Sequence, residues 1–570
     1  MRTGIGGLLP RVYEAVPPLI LVLLLVGSLT TPVFFRNTLG PELYRAVSPM
    51  FWAALGYGLV FPFASRRGQD ASEALLWGTL VFGLFWGYFV VAEPGVRYWD
   101  SFAHSEVTCQ LVTAGVKPEL NRYLLWPSSF ILHGAFGALA DLPALEASKL
   151  LAFAMVLLIG AALMRFFLLF FNPRYAFLSL IVFSLTPNSL MLHHQHYSPQ
   201  TVAYFLSLLI LALMYRGFDE PGRMKALFIL LLFGVVMLHP VTSLLLFPVL
   251  TALLAFNRVG REPSAGVVTG GVALLFLTAI AAWWLARGAA LDTSISLLSP
   301  SLRRLWDAVT LGEYRFTEGL FRPVHQPAYS QVIRDVTFVL LSVAVAPSLL
   351  RLARSFLRAA RGSRRLKRDE AFFLSILLGT SVGTILVWTA TGGLYGDRSW
   401  GLAAPVIAIL CTRSLVSKPA DMRMRQAAGV LAVLAVALVP LNFVAVNYME
   451  SQRQTSLAEM AAVEFIRFQG LRYQWVFSDS ELTLIRLRYA FQDGSNIFLK
   501  TELLPETAGN SSFLAAVPWT YFVHTERSTT LLLSHYGEAP DGFKEFGLPG
   551  VVKAYDNGEL KVYRRAGPPL

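Results

Sequence analysis

The sequence is poor in charged residues, which make up only 15% of its 570 residues. A soluble globular protein carries roughly 25%. Hydrophobic residues reach 55%, and the mean hydropathy is +0.54. This composition excludes a disordered chain and an ordinary soluble enzyme. It predicts one large polytopic membrane domain instead of several soluble ones.

Cysteine and nucleotide-binding motifs are also scarce. Two cysteines, Cys109 and Cys411, exclude a disulfide framework and a zinc site made of thiolates. The sequence has no Gly-rich phosphate loop and no Walker motif, and the predicted cytoplasmic turns are too short to hold a nucleotide fold. We therefore do not expect the chain to use cytoplasmic ATP. A bond made outside the membrane then needs a donor that arrives activated, and a lipid-linked donor suits a membrane-bound chain.

Long apolar stretches predict thirteen membrane spans. A spanning helix needs about 20 mostly apolar residues, or fewer where its ends are buried in protein. The first span is too long for a removable signal peptide, and we expect it to stay as an anchor. The apolar segment from Tyr123 to Ala140 is short, and we interpret it as a helix at the outer interface. The predicted spans are 17–35, 44–64, 73–92, 146–171, 175–191, 200–215, 226–238, 241–256, 265–287, 335–353, 370–390, 399–416 and 427–447.

Lysine and arginine in the short turns set the predicted orientation. With the N-terminus in the cytoplasm, basic residues fall in the cytoplasmic turns, most densely at 351–368. The net charge of +12 is then a topology signal next to anionic membrane lipids, and we expect no nucleic-acid partner. Thirteen crossings place the C-terminus outside. The prediction is a multi-pass protein of the cell membrane.

The C-terminal part differs in composition from the rest. After residue 447 charged residues become frequent and apolar runs shorten, which indicates a small α/β domain outside the membrane. Residues 455–469 have helical spacing, and 475–477 and 521–523 resemble buried strands. Two further strands flank Asp556-Asn557-Gly558, a hairpin signal. The predicted domains are therefore an all-α transmembrane domain at 1–447 and an extracytoplasmic α/β domain at 448–570.

The first candidate for chemistry follows the third span on the outer face. If the segment is helical, Asp100 and His104 lie one turn apart on the same side. Desolvation near the hydrocarbon edge raises the pKa of a carboxylate and makes it a better proton acceptor. The histidine could orient that carboxylate or share a metal ion with it. The alternative is a juxtamembrane loop in which the aspartate only caps a helix.

The second candidate is the polar turn before the sixth span. Three imidazoles, on His193, His194 and His196, could bind zinc, although their spacing is not a recognised zinc pattern. Together with Tyr197 and Gln200 they could instead line a substrate site. A polar turn at the lipid headgroup level remains the third interpretation.

Further candidates are a histidine between spans and a set of outer cations. His239 lies between two short spans, where a histidine is expensive unless it faces a cavity or a partner. The alternative is a satisfied residue at a helix end. Arg322 and Arg398 could grip a phosphate, because a guanidinium offers two parallel hydrogen bonds. Asp397 and Tyr395 lie beside Arg398, so a salt bridge at the rim is the alternative there.

In order and sidedness these motifs resemble the GT-C superfamily of integral membrane glycosyltransferases. Its members include protein O-mannosyltransferases, the lipid A aminoarabinose transferase and oligosaccharyltransferase subunits. The resemblance covers roughly residues 73–447. The segments that carry it are the acid-bearing loop 98–104, Gly115, Tyr123 and Pro127, the turn 197–200, Asp397-Arg398 with Pro405, and the closing segment 555–558.

The resemblance implies inverting transfer of a sugar from a polyprenyl-phosphate donor to a glycan, lipid or protein acceptor on the outer face. It further implies that Asp100 is the base or a metal ligand. The family commonly has two adjacent acids, whereas Ser101 follows Asp100 here. A divalent cation, Mg²⁺ or Mn²⁺, held by Asp100 and His104 is therefore an open alternative. The competing functions are a transporter or lipid flippase, and a non-catalytic scaffold that presents the C-terminal domain.

Overall fold

The structure is a computed structural model in which the described residues are mostly helical. It describes residues 19–24, 26–27, 47–64, 70–92, 100–117, 122–186, 195–217, 219, 221–260, 266–287, 328–391, 400–416, 422–446, 475–478, 498–501, 521–525, 551–556 and 560–565. All structural statements below concern these residues.

Fourteen α-helices lie between residues 49 and 446 of the described chain. They are α1 Pro49–Ala64, α2 Ala71–Ala92, α3 Asp100–Ala114, α4 Ser128–Ala140, α5 Ala144–Phe167, α6 Pro173–Leu185, α7 Pro199–Arg216, α8 Pro221–Leu238, α9 Pro240–Gly260, α10 Gly270–Ala286, α11 Ala328–Ala360, α12 Arg368–Thr391, α13 Ala404–Val416 and α14 Met422–Val446. Two short 3₁₀ helices, Arg122–Leu125 and Trp400–Leu402, precede α4 and α13.

Twelve of the fourteen helices coincide with predicted spans, and α3 and α4 lie between two of them. Each of the last twelve predicted spans overlaps one of these helices, and the described residues 19–24 and 26–27 of the first span are also helical. Five helices are long and apolar enough to cross a membrane, namely α2, α5, α7, most of α9 and most of α11. These five support a multi-pass membrane protein. The count of thirteen spans, their orientation and the domain boundary at residue 447 stay predictions.

Local sequence signals explain where several helices begin. Asn172 accepts a hydrogen bond from the backbone N–H of Tyr175 at 3.2 Å, and Pro173 occupies the first turn of α6. Ser198 caps α7 in the same way. Its hydroxyl oxygen accepts the backbone N–H of Thr201 at 3.2 Å, and Pro199 is the first residue of the helix. A side-chain oxygen satisfies an otherwise unpaired N–H at the first turn, where proline loses no intrahelical bond. These caps fix where the preceding turns stop.

Close helix packing holds the middle of the membrane domain together. Helices α9 and α12 approach so closely that a Cβ added to Gly379 would lie 2.5 Å from the Cα of Val249. Gly383, one turn further, faces Leu245. Small residues four apart let two backbones approach, which gives dispersion contacts that a lipid-exposed pair lacks. Elsewhere polar contacts join helices, such as the 3.0 Å hydrogen bond from Ser179 of α6 to Thr412 of α13.

A five-stranded sheet lies in the C-terminal part. Its strands are β1 Trp475–Ser478, β2 Phe498–Thr501, β3 Tyr521–Thr525, β4 Val551–Asp556 and β5 Leu560–Arg565, in the order β2-β1-β3-β5-β4. β1 pairs in parallel with β2 and β3, whereas β5 pairs antiparallel with β3 and β4. The predicted hairpin is confirmed as the β4–β5 pair. Strand β2 was not predicted, and the predicted helix at 455–469 lies outside the described residues.

Candidate functional site

The first candidate segment is helical, as the spacing predicted. Helix α3 begins at Asp100, and His104 follows one turn later on the same helix. His104 is buried, and so are its neighbours Ser105 and Glu106. Glu106 accepts a hydrogen bond from the side-chain amide of Gln110 at 3.0 Å. The side chain of Asp100 lies outside the described part of the chain, so its role stays a prediction.

The imidazole of His104 is bound to the second candidate segment. Its Nδ1 lies 3.2 Å from the backbone oxygen of Tyr197. Because a carbonyl oxygen can only accept, Nδ1 carries the proton in this contact. In the neutral ring Nε2 therefore carries the lone pair. The ring also stacks on His196, with centroids 5.8 Å apart and planes 9° from parallel. The structure thus brings together two segments that lie about 90 residues apart in sequence.

The turn at 195–198 is held on both sides. The Thr201 hydroxyl donates to the backbone oxygen of His196 at 3.1 Å, and the cap at Ser198 fixes the start of α7. The Tyr197 hydroxyl donates to the backbone oxygen of Ser129 in α4 at 2.9 Å. Burial raises the pKa of Tyr197 well above its ordinary value, so the phenol stays a neutral donor. These contacts position the carbonyl that selects the tautomer of His104.

A histidine that was not predicted joins the same network. His133 of α4 is buried, and its Nε2 lies 2.7 Å from the backbone oxygen of Ala144. Nε2 is therefore protonated. When the ring is neutral, Nδ1 accepts the one proton of the Thr108 hydroxyl at 2.8 Å, and that proton is then not donated to the backbone oxygen of His104, which lies 3.0 Å from the hydroxyl. Burial lowers the pKa of His133 although the contact with Ala144 opposes this. A lone histidine in an otherwise apolar helix was the only sequence signal for it.

The remaining predicted residues fall into two groups. His239 accepts the N–H of Thr242 at 3.2 Å through Nδ1, so the ring caps the start of α9. This contact favours the interpretation of a satisfied residue at a helix end. Gln200 is half-buried in the first turn of α7. Outside the described residues lie His193, His194, Arg322, Tyr395, Asp397 and Arg398.

The segment that follows Arg398 packs against helix α7. Tyr204 of α7 donates a hydrogen bond to the backbone oxygen of Gly401 at 3.2 Å. Gly401 is three residues beyond Arg398 in the sequence, and Tyr204 is two helical turns beyond Tyr197. The Trp400–Leu402 turn is therefore anchored to the same helix whose cap shapes the 195–198 turn.

Metal binding is not supported by a preformed cluster. Within the described ranges, no three His, Cys, Asp or Glu side chains are grouped so that they could hold a metal ion. His104 has one nitrogen that could ligate Mn²⁺, whereas Mg²⁺ prefers oxygen ligands. A site shared by Asp100 and His104 remains a proposal.

Buried histidines and carboxylates occur at one place in the described chain. The buried histidines and carboxylates there are His104, Glu106, His133 and His196, and all four belong to α3, α4 or the 195–198 turn. None of the described helices at the predicted spans buries a histidine or a carboxylate to this degree. Buried ionisable groups in a membrane protein mark functional sites by default. We refer to these residues, with Thr108 and Tyr197, as the histidine network.

Comparisons with known proteins gave similarity at the level of structure. No protein-family model matches the sequence, and no curated protein matches it. One similar solved structure is the Archaeoglobus fulgidus oligosaccharyltransferase tethered to an acceptor peptide containing the NVT sequon. The match has 11% identity and a TM-score of 0.48, and it covers 87% of this chain and 74% of the oligosaccharyltransferase chain. Another is ArnT from Cupriavidus metallidurans bound to undecaprenyl phosphate, with 10% identity, a TM-score of 0.48 and coverage of 88% and 100%.

Proposed function

We propose that this protein is a membrane glycosyltransferase of the GT-C type. It moves a sugar from a polyprenyl-phosphate donor to an acceptor hydroxyl or amide on the outer face of the membrane. The observation that carries the proposal is the contact between His104 and Tyr197. That contact joins the acid-bearing helix α3 to the polar turn before α7, and the motif resemblance includes both segments.

The proposed chemistry assigns one role to each group. The Asp100 carboxylate takes the proton of the acceptor, and the acceptor atom forms a bond to the anomeric carbon of the sugar. The bond from that carbon to the phosphate oxygen breaks on the opposite face, so the configuration inverts. Polyprenyl phosphate leaves with the electron pair. His104, one turn along α3, orients the carboxylate as an imidazolium, in which Nδ1–H donates to the backbone oxygen of Tyr197 and Nε2–H donates to the carboxylate.

The departing phosphate needs a cation, and Arg398 is the proposed one. A charge-assisted hydrogen bond is worth roughly 1.5–3 kcal/mol. Arg398→Leu is therefore expected to weaken binding of the donor about 10- to 100-fold, with the affinity for the acceptor unchanged. Arg322 is a second proposed contact for the donor. Equal losses for donor and acceptor would contradict the phosphate role.

A transporter or lipid flippase is the competing function. Such a protein needs ionisable or polar groups along its path through the membrane. In the described chain the buried histidines and carboxylates concentrate instead in the histidine network, next to the predicted outer face. This distribution favours a reaction at one surface over passage through the bilayer.

The experiment uses the full-length protein in detergent with a panel of polyprenyl-phosphate-linked sugars. We expect transfer or hydrolysis of at least one of them, and we expect undecaprenyl phosphate, the carrier released in the reaction, to raise Tm. At 100 times its Kd a ligand stabilises the folded state by about 2.7 kcal/mol. A chelator arm tests the divalent cation. No turnover of any donor, together with no shift in Tm, would contradict the proposal.

A further inference from the structure

Three residues next in sequence to the histidine network, or in contact with it, have polar side-chain atoms without a partner among the described residues. In the described part of the chain, neither Oε1 nor Nε2 of Gln195 has a hydrogen-bond partner, and the residue is only 1% exposed. The hydroxyls of Ser105 and Ser129 are likewise buried without a partner among these residues. Buried polar groups are nearly always hydrogen-bonded, so each exception needs an explanation.

These three side chains come from three separate segments, and each is next to a member of the network. Gln195 directly precedes His196, which stacks on His104. Ser105 directly follows His104 on α3. The backbone oxygen of Ser129 accepts the hydroxyl of Tyr197. The three residues therefore belong to the segments that form the histidine network, although they are far apart in sequence.

The kind of unpaired group limits the ligand. A primary amide offers two N–H donors and one acceptor oxygen, and a serine hydroxyl can do either. A phosphate offers only acceptor oxygens at neutral pH and would leave Oε1 of Gln195 unpaired. A polyprenyl chain offers neither donors nor acceptors. Neighbouring hydroxyls of a sugar offer both and can pair with both ends of the amide.

We propose that Gln195, with Ser105 and Ser129, binds the hydroxyls of the sugar that is transferred. This inference rests on the proposed glycosyltransferase function and deepens it, because it assigns the sugar of the donor to the 195–198 turn and its neighbours in α3 and α4. Gln195 is thereby a binding residue for the donor. Among the described residues these polar groups have no partner, and they become paired when the donor binds.

The test replaces Gln195 with methionine, which has a similar volume and no hydrogen-bonding amide. Removal of an unpaired buried amide is expected to raise Tm of the free protein. The variant loses two neutral hydrogen bonds to the sugar, each of which is worth a factor of roughly 2 to 12 in affinity for the donor. The KM for the donor should rise about 4- to 140-fold, while the KM for the acceptor stays unchanged.

A matched control separates this effect from a general change in stability. Thr380 of α12 also has a buried hydroxyl without a partner in the described chain, but it lies outside the histidine network. Thr380→Val should raise Tm in the same way and leave both KM values unchanged. Ser129→Ala provides a second variant for the site, and we expect it to fold and to raise the KM for the donor by a factor of roughly 2 to 12.

The outcomes distinguish this inference from the proposed function. Each variant is assayed with the lipid-linked sugar that the wild type turns over fastest. An unchanged KM for the donor in Gln195→Met would overturn the inference while the proposed function stands. So would an increase in the KM for the acceptor alone, or a lower Tm of the free variant. A wild type that transfers no sugar would overturn both.

Discussion

The contact between His104 and Tyr197 predicts that two amide substitutions of His104 will behave differently. Asparagine ends in atoms that correspond to Nδ1 of the ring, so His104→Asn can still donate to the backbone oxygen of Tyr197, which lies 3.2 Å from Nδ1. Glutamine ends in atoms that correspond to Nε2. His104→Gln therefore keeps a polar group on the side assigned to Asp100 and loses the contact with Tyr197.

The magnitudes follow from what each variant loses. Both lose the stacking on His196, worth about 0.5–1.5 kcal/mol beyond burial. His104→Gln also leaves the Tyr197 carbonyl without this donor, at a cost of about 1–3 kcal/mol. We expect it to be the less stable variant. His104→Asn leaves the Asp100 carboxylate unsupported, and a misplacement of about 1 Å costs on the order of 10²-fold in rate.

The two variants should therefore rank in opposite orders in thermal stability and in rate of sugar transfer. Thermal unfolding in detergent should place His104→Asn above His104→Gln in Tm. Initial rates of sugar transfer, normalised to folded protein, should place His104→Gln above His104→Asn. If His104→Asn were both the more stable and the more active variant, the orienting role of Nε2 would be refuted. If both matched the wild type in rate, His104 would have no role in the reaction.

Three further predictions concern pH, packing and topology. Burial depresses the pKa of His133 below its unfolded value of 6.5. The free energy of unfolding should therefore be highest above that pH and should fall as the pH drops below it. His133→Gln should flatten this part of the profile of Tm against pH. Gly379→Ala should lower stability by about 1–3 kcal/mol, because the backbone of α9 cannot move aside, whereas Gly429→Ala meets nothing within 4 Å and should not; equal effects on thermal unfolding would contradict the close approach. In a cysteine-free background, a membrane-impermeant thiol reagent should label Asn510→Cys from outside and miss Ser363→Cys, and the reverse would invert the assigned orientation.

Much of the helical architecture could be predicted from the sequence because apolar length is its main determinant. Twelve predicted spans overlap described helices, and the caps at Asn172 and Ser198 mark starts that the Asn-Pro and Ser-Pro signals favour. Strand β2 was missed because Phe498–Thr501 is short and contains a lysine, so it lacks a clear apolar run. Periodicity carries little information over four residues.

The site was only half predictable for a different reason. Asp100, His104 and the 193–200 turn stand out as polar residues beside spans, which is a local signal. The meeting of His104 with Tyr197 is a tertiary fact: a carbonyl at Tyr197 selects the tautomer of His104, and no sequence pattern encodes that pairing. His133 and Gln195 were missed because a single polar residue is informative only once its partners, or the lack of them, can be seen.

The central claim is that Asp100 takes the proton of the acceptor, and Asp100→Asn tests it most directly. Asparagine keeps the size of the side chain and one acceptor oxygen but cannot take a proton at neutral pH. The measurement is the single-turnover rate of sugar transfer by the folded variant, with folding verified by an unchanged Tm. General base catalysis contributes about 10²–10⁴-fold, so we predict a loss of that order. Transfer by Asp100→Asn at close to the wild-type rate would contradict the account.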